Sequence, residues 1–231
     1  MLGKKTKLLN RMNRKLKLTS DGSYTLYVPE LDEHYHSIHG AVQESEHVFI
    51  KYGIQTLFKS NIRVLEVGLG TCLNALLTAV WSEHNGSSVD YTGIEAYPLK
   101  DEINKSLNYG EKIEDKKANL FFNEIIKSNW GVQNRIHSKF VIQKTQCLIE
   151  EFAADRKYDI IYFDAFGPNT QGELWQFDIL KKMYELLDDN GVFVTYCAKG
   201  QLKRDLAQIG FKVESLPGPP GKREMTRGVK F

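Results

Sequence analysis

Three acids and a glycine turn are spaced in this chain so that they could do chemistry together. Gly68-Leu69-Gly70-Thr71 follows the apolar run 62–67 and precedes a helical recurrence at Leu73, Leu76, Leu77, Val80 and Trp81, so the local order is strand, turn, helix. The turn departs from the dinucleotide fingerprint because Leu73 stands where the third glycine would be. A pyrophosphate needs close backbone approach at that place, whereas a nucleoside with an amino-acid tail needs only a bend and polar groups. Glu66 stands one residue before the end of the strand that leads into the turn. Glu95 ends the next strand, twenty-five residues beyond Gly70, near the spacing at which a carboxylate accepts both hydroxyls of a ribose. A vicinal diol without a pyrophosphate, as S-adenosylmethionine offers, suits both features. The same pair also fits a glycine turn and a strand-end acid in another kind of α/β protein.

Asp164 is the third acid, at the tip of an apolar strand over 158–163. There it could accept or steer a proton for a reacting group beside the turn, or serve only as a strand-end cap bonded to the Pro168 loop. His34, His36 and His39, with Glu33 nearby, invite a metal test, but H-x-H-x-x-H does not put all three rings on one helical face, so no metal is expected.

Strands and helices must alternate to place these groups. A second strand fits 89–94, a third 140–143 and a fifth 192–196, with helical patterns between most of them. That alternation implies an α/β fold with a mostly parallel sheet covered on both faces, binding its ligand at the carboxyl ends of the strands. Upstream, Leu16, Leu18, Tyr24, Leu26 and Val28 flank Ser20-Asp21-Gly22 and read as a hairpin; a helix is expected over 42–58. The segment 98–139 is too long for a plain crossover and reads as one or two helices plus an insertion near Trp130. After a helix over 201–209 ending at Gly210, strands over 211–216 and 225–231 close the chain as an antiparallel pair at one sheet edge. The expected division is an extension over 1–58 and a domain over 59–231.

Composition bounds the rest. The three cysteines, Cys72, Cys147 and Cys197, are too few and too widely spaced for a disulfide framework or a zinc site. No window approaches the length of apolar chain that spans a bilayer, and the start carries no apolar leader, so a cytoplasmic protein without membrane association is expected. Net charge is only +2, which by itself does not announce nucleic acid. Cations nonetheless crowd both ends: Lys4, Lys5, Lys7, Arg11, Arg14, Lys15 and Lys17 at one, Lys222, Arg223, Arg227 and Lys230 at the other.

Three separated motifs, in order, carry a resemblance. Leu65-Glu66-Val67-Gly68-Leu69-Gly70-Thr71-Cys72-Leu73-Asn74, then Asp164-Ala165-Phe166-Gly167-Pro168 with Trp175 after it, then Gly221-Lys222-Arg223-Glu224-Met225 resemble the methyltransferase domain of the MnmC family. That family completes 5-methylaminomethyl-2-thiouridine in tRNA. Weaker similarity runs upstream through 44–49. The chain departs from the family in the stretch before Trp175, where Gln171-Gly172-Glu173-Leu174 stands. It departs again at Thr145-Gln146, where the family commonly has an Asp that could touch adenine.

The resemblance implies a Rossmann-like class I methyltransferase that uses S-adenosyl-L-methionine to N-methylate the 5-aminomethyl group of a wobble uridine. It implies cofactor contacts from Glu66, Gly68, Leu69, Gly70, Thr71, Asn74, Glu95 and Asp164, with Asp164 also catalytic. Phe166, Pro168 and Trp175 would wall the uracil, Tyr24 and Tyr35 could close over the methionine end, and Lys222 and Arg223 would meet phosphates of the anticodon stem-loop. No second glycine fingerprint occurs, so a form without the oxidase domain is expected, linked to a separate enzyme that supplies the aminomethyl precursor. Two rivals stand beside this reading: a transferase of the same cofactor acting on a small-molecule amine, and a non-catalytic RNA-binding module that keeps the fold.

Overall fold

The structure, a computed structural model, describes residues 13–231, so Lys4, Lys5, Lys7 and Arg11 lie outside the described residues. The hairpin read around Asp-Gly is there. β1 (Lys15–Leu18) and β2 (Tyr24–Val28) pair antiparallel, and the Asp21 carboxylate accepts from Ser23 N and Oγ and from Thr19 Oγ1 to brace the turn. A short β3 (Glu33–His34) completes a three-stranded sheet.

The helix expected over 42–58 is shorter and broken. α1 (Ala41–Ser45) runs into a π-helical turn, Glu46–Lys51, and a 3₁₀ turn, Ile54–Thr56. Gly53 separates the two because its backbone passes so close to Phe49 O that a Cβ there would lie 2.1 Å away. Phe58, assigned to that helix by periodicity, is 99% exposed.

The central alternation follows. β4 (Asn61–Val67) leads through the glycine turn to α2 (Leu73–Asn85), then to β5 (Ser88–Ile94). The 98–139 segment holds three helices, α3 (Asp101–Lys105), α4 (Tyr109–Lys112) and α5 (Ala118–Lys127), and then a strand that the sequence reading missed, β6 (Gln133–His137). β6 is polar and half exposed, an edge strand without the apolar alternation that announces strands. β7 (Phe140–Thr145), β8 (Tyr158–Phe163), α6 (Phe177–Leu186), β9 (Leu187–Thr195) and α7 (Gly200–Ile209) follow, then the closing hairpin β10 (Lys212–Pro217) and β11 (Glu224–Val229).

Among the described residues these strands form one eight-stranded sheet in the order β10-β11-β9-β8-β4-β5-β7-β6. The four pairings around β4 are parallel, and β6 and the closing hairpin are antiparallel edges. Parallel strands buried on both faces explain the unbroken burial of β8. Apolar side chains fill both sides of the sheet: one cluster packs α1, α2 and α5 against it, the other α6 and α7. Because β5 and β7 lie on one side of β4 and β8 and β9 on the other, the chain reverses its winding direction at β4. The crevice at that reversal, outside the carboxyl ends of the strands, is where open α/β sheets bind ligands. No helix among the described residues is long and apolar enough to cross a membrane.

Candidate active site

The carboxyl ends of β4, β5 and β8 converge on one cavity of about 360 Å³, within the range of small-molecule sites. Its floor is the turn after β4. Gly68 N and Leu69 N both donate to Ile94 O at 3.0 Å, which ties the turn to the end of β5. Gly68 has φ +89, and a Cβ on it would lie 2.6 Å from Asp164 O; Gly70 has φ +47 beneath the Tyr35 ring. Glycine is required there both by backbone conformation and by close approach. Leu69, Gly70 and Thr71 also line the cavity.

Glu95 sits at the end of β5, and its two oxygens accept from Gly70 N and Tyr97 N, each at 2.9 Å. Burial pushes its carboxyl above the usual range, while the Tyr97 and Gly70 amides pull it back. Each carboxylate oxygen accepts more than one hydrogen bond, so Glu95 keeps acceptor capacity toward the cavity.

Asp164 faces the same space from β8. Its amide donates to Val67 O at 2.9 Å, and its Oδ2 accepts from Asn74 Nδ2 at 2.8 Å, so the side chain is tied to α2 and makes no bond to the Pro168 loop. Burial raises its pKa to about 7, against the lowering effects of Asn74 and the Lys222 charge, and Glu44 adds to the rise. A carboxylate of that basicity takes up protons near neutrality.

The small N-terminal sheet forms the roof. Tyr35 and Phe166 meet edge to face at 5.0 Å on the cavity wall, and Arg14 Nε donates to Tyr35 OH at 3.0 Å. His36, fully buried, shares a 2.6 Å hydrogen bond with Thr71 Oγ1; burial lowers its pKa to about 4, so it is neutral at physiological pH. Glu33 accepts from Thr170 Oγ1 at 3.1 Å, which ties this sheet to the loop after β8. The His34 ring lies tilted against Tyr27 and His39 packs against Gly221, and among the described residues no His, Cys, Asp and Glu group could hold a metal ion.

Several sequence-selected residues lie elsewhere. Glu66 and Asn74 are each 1% exposed and sit behind the glycine turn, off the cavity wall. Trp175 is a core residue: its ring packs against Phe163 and its Nε1 donates to Phe166 O at 2.8 Å, so it holds the loop from below and Leu174 takes the wall position. Pro168 and Tyr24 do not line the cavity either. Lys222 turns inward, paired with the buried Glu44 carboxylate, its ammonium 4.0 Å from the centre of the Tyr196 ring. Arg223 remains on the exposed surface. On the far side the wall after β7 is Cys147 to Glu150, directly after Thr145-Gln146. No motif marks Cys147, and Arg14 and Gln171 carried no sequence signal beyond a basic run and a loop.

The Glu44–Lys222 pair makes a stability prediction. Lys222→Ala leaves a carboxylate that is 8% exposed without its cation, with Ser37 N the one donor left to it among the described residues. Because the ammonium is partly solvated, the expected cost is about 1 to 3 kcal/mol, less than for a wholly buried pair. Thermal unfolding should fall by roughly 3 to 10 °C in a chain of this size, and Glu44→Gln in the same protein should restore part of it. An unchanged midpoint would mean that the pair contributes nothing.

Known proteins agree with this architecture. A family described as S-adenosyl-L-methionine-dependent methyltransferase matches residues 110–231. An uncharacterized protein of Methanocaldococcus jannaschii is 29% identical over 92% of this chain. The tRNA 5-methylaminomethyl-2-thiouridine biosynthesis bifunctional protein MnmC of Leptospira interrogans is 29% identical over 91% of it. The chain spans 58% of the first relative and 34% of the second. The crystal structure of MNMC2 from Aquifex aeolicus superposes with a TM-score of 0.75 over 97% of this chain and 74% of that one, at 24% identity, which shows the fold. The cofactor of the matched family is S-adenosyl-L-methionine, and since the match covers more than half of the sequence, this chain belongs to the S-adenosyl-L-methionine-dependent methyltransferases.

Proposed function

We propose that the chain N-methylates the 5-aminomethyl group of a modified wobble uridine in tRNA, giving 5-methylaminomethyl(-2-thio)uridine, with residues 59–231 as the transferase domain and 1–58 as an N-terminal extension. The observation that carries this reading is the Asp164 carboxylate, half-buried, near-neutral in pKa and facing a cavity shared with the glycine turn and Glu95. The turn fits the cofactor as a cradle that a Cβ would fill, and Glu95 fits a ribose diol. When bound there, S-adenosylmethionine supplies an electrophilic methyl group on a sulfonium.

An alkylamine is largely protonated at neutral pH and cannot attack until it loses a proton. Asp164 accepts that proton, leaving the nitrogen lone pair free. The bound sulfonium would give up its methyl group in an in-line displacement, for which the part of this chain's residues is mainly alignment of the amine. Phe166 and Tyr35 hold the uracil from the wall, with Trp175 and Pro168 shaping the loop beneath it. Arg223 meets an anticodon-stem phosphate, while Lys222 acts from inside through Glu44. The relatives named for tRNA modification support this substrate, as does the absence from Asp164-Ala165-Phe166-Gly167 of the second acid that aminopropyl transfer would need.

The decisive assay incubates the protein with methyl-labelled cofactor and tRNA carrying 5-aminomethyluridine, followed by nucleoside analysis. Label in 5-methylaminomethyluridine is expected. Binding of the cofactor with no labelled nucleoside overturns the tRNA reading, and label in a small amine favours the rival transferase. Arg223→Ala should also flatten the slope of log affinity for tRNA against log salt by about 0.7 to 0.9, the share of one phosphate. An unchanged slope would move RNA contact away from the closing hairpin.

A further inference from the structure

Behind Asp164 lies a line of buried polar side chains with no part in the chemistry described so far. Asn74, in the first turn of α2, donates from Nδ2 to Glu66 Oε1 and to Asp164 Oδ2, each at 2.8 Å. Glu66 Oε2 accepts from Tyr91 OH at 2.7 Å. Glu66 and Asn74 are 1% exposed and Tyr91 is fully buried. Only Asp164 of the four reaches the cavity. An amide nitrogen carries two hydrogens, so both donors of Asn74 are spent on the two carboxyl groups. Since Asn74 holds Oδ2 of Asp164 and no described donor meets Oδ1, Oδ1 is the oxygen with both lone pairs open to the cavity.

We propose that Asn74, clamped from behind by Glu66 and Tyr91, is a positioning residue for the methyl transfer: it fixes the Asp164 carboxylate with Oδ1 toward the acceptor, and neither Asn74 nor Glu66 touches the cofactor. This rests on the reading of Asp164 as the group that takes the substrate's proton. The acid of the glycine-turn motif thereby acts through the amide on the base, not on the bound nucleoside. Burial holds Glu66 well above the usual carboxyl range, which avoids two adjacent anions on one amide. The groups whose charge reaches Asp164 are Glu66, Glu44 and Lys222, with the phenols of Tyr196 and Tyr109 also feeling its charge.

The test combines three readouts on Asn74→Ala. In ¹³C NMR of the labelled Asp164 carboxyl, which needs no substrate, the titration midpoint should rise, because the Asn74 hydrogen bond favours the ionised form. Turnover on aminomethyluridine tRNA should fall about tenfold to a hundredfold, the scale of a misplaced catalytic group. Calorimetric cofactor affinity should stay within about threefold, since uniform binding is not what the amide supplies. An unmoved midpoint, or a loss of cofactor affinity as large as the loss of turnover, overturns the proposal. Glu66→Ala, read in the same three ways, decides the question should Asn74→Ala fail to fold, and Glu66→Gln should recover turnover over Glu66→Ala because its carbonyl still accepts from Asn74. If the native protein does not methylate tRNA, the substrate reading fails, while the NMR arm still decides whether Asn74 holds Asp164.

Discussion

Asp164→Asn is expected to lower turnover on aminomethyluridine tRNA by about a hundredfold to ten-thousandfold, the range that a positioned acid or base contributes. Cofactor affinity should change by no more than a few-fold, because the loss falls on the proton transfer and not on binding. The variant can keep its fold: an Asn side-chain carbonyl can accept from Asn74 as Oδ2 does now, leaving an amide that cannot take a proton toward the cavity. Native turnover should rise with pH through about 7, as the Asp164 carboxyl loses its proton, and this limb should vanish in the variant. Stability moves the other way. The unfolded chain releases this proton near the ordinary value of 3.8 and the folded chain near 7, so between the two the folded state holds more protons. Its stability therefore falls as pH rises across that window and levels above it. Asn has no such titration, so thermal unfolding of the variant relative to native should improve between about pH 5 and about pH 8. Equal losses of affinity and turnover would move Asp164 from the reaction into cofactor binding.

Glu95→Ala is expected to weaken S-adenosylmethionine binding by about a hundredfold, roughly 3 kcal/mol, the worth of one or two hydrogen bonds to a charged group in a secluded site. Two losses combine. The ribose hydroxyls lose their acceptor, and Gly70 N and Tyr97 N, which now donate to the carboxylate, lose theirs. Turnover at saturating cofactor should fall much less, because the alignment of acceptor and base does not pass through β5. Glu95→Gln, which keeps one acceptor oxygen, should lie between the two. Calorimetry showing native affinity in Glu95→Ala would remove the ribose assignment.

The two predictions differ in how far the sequence alone led to them. Gly68, Gly70 and Glu95 stand out in one dimension because a strand, a bend and a helix have distinct periodicities, and the next strand-end acid then falls at a predictable place. The closing hairpin and the Gly210 stop were legible for the same reason. β6 was not, because an edge strand with one polar face carries no alternating pattern. The helix over 42–58 was overextended because periodicity does not register a π-helical turn or the contact that forces Gly53.

What the sequence by itself determined is the alternation of strands and helices in a mostly parallel sheet and the glycine turn after its first long strand, since both depend on local pattern and on glycine's freedom at positive φ. What only the tertiary structure decided is which side chains reach the cavity. Trp175 shares a motif with Phe166, yet its ring is taken by Phe163 on the other face of the loop. Lys222 reads as a free cation until Glu44, 178 residues away in the chain, turns it inward. Arg14, Tyr35 and His36 reach the site only because the small sheet folds over the turn, and Asn74, which also holds Glu66, meets Asp164 across a sequence separation of 90 residues. Such contacts depend on long-range packing and on the pairing that burial demands of polar groups, and neither leaves a periodic trace in the chain.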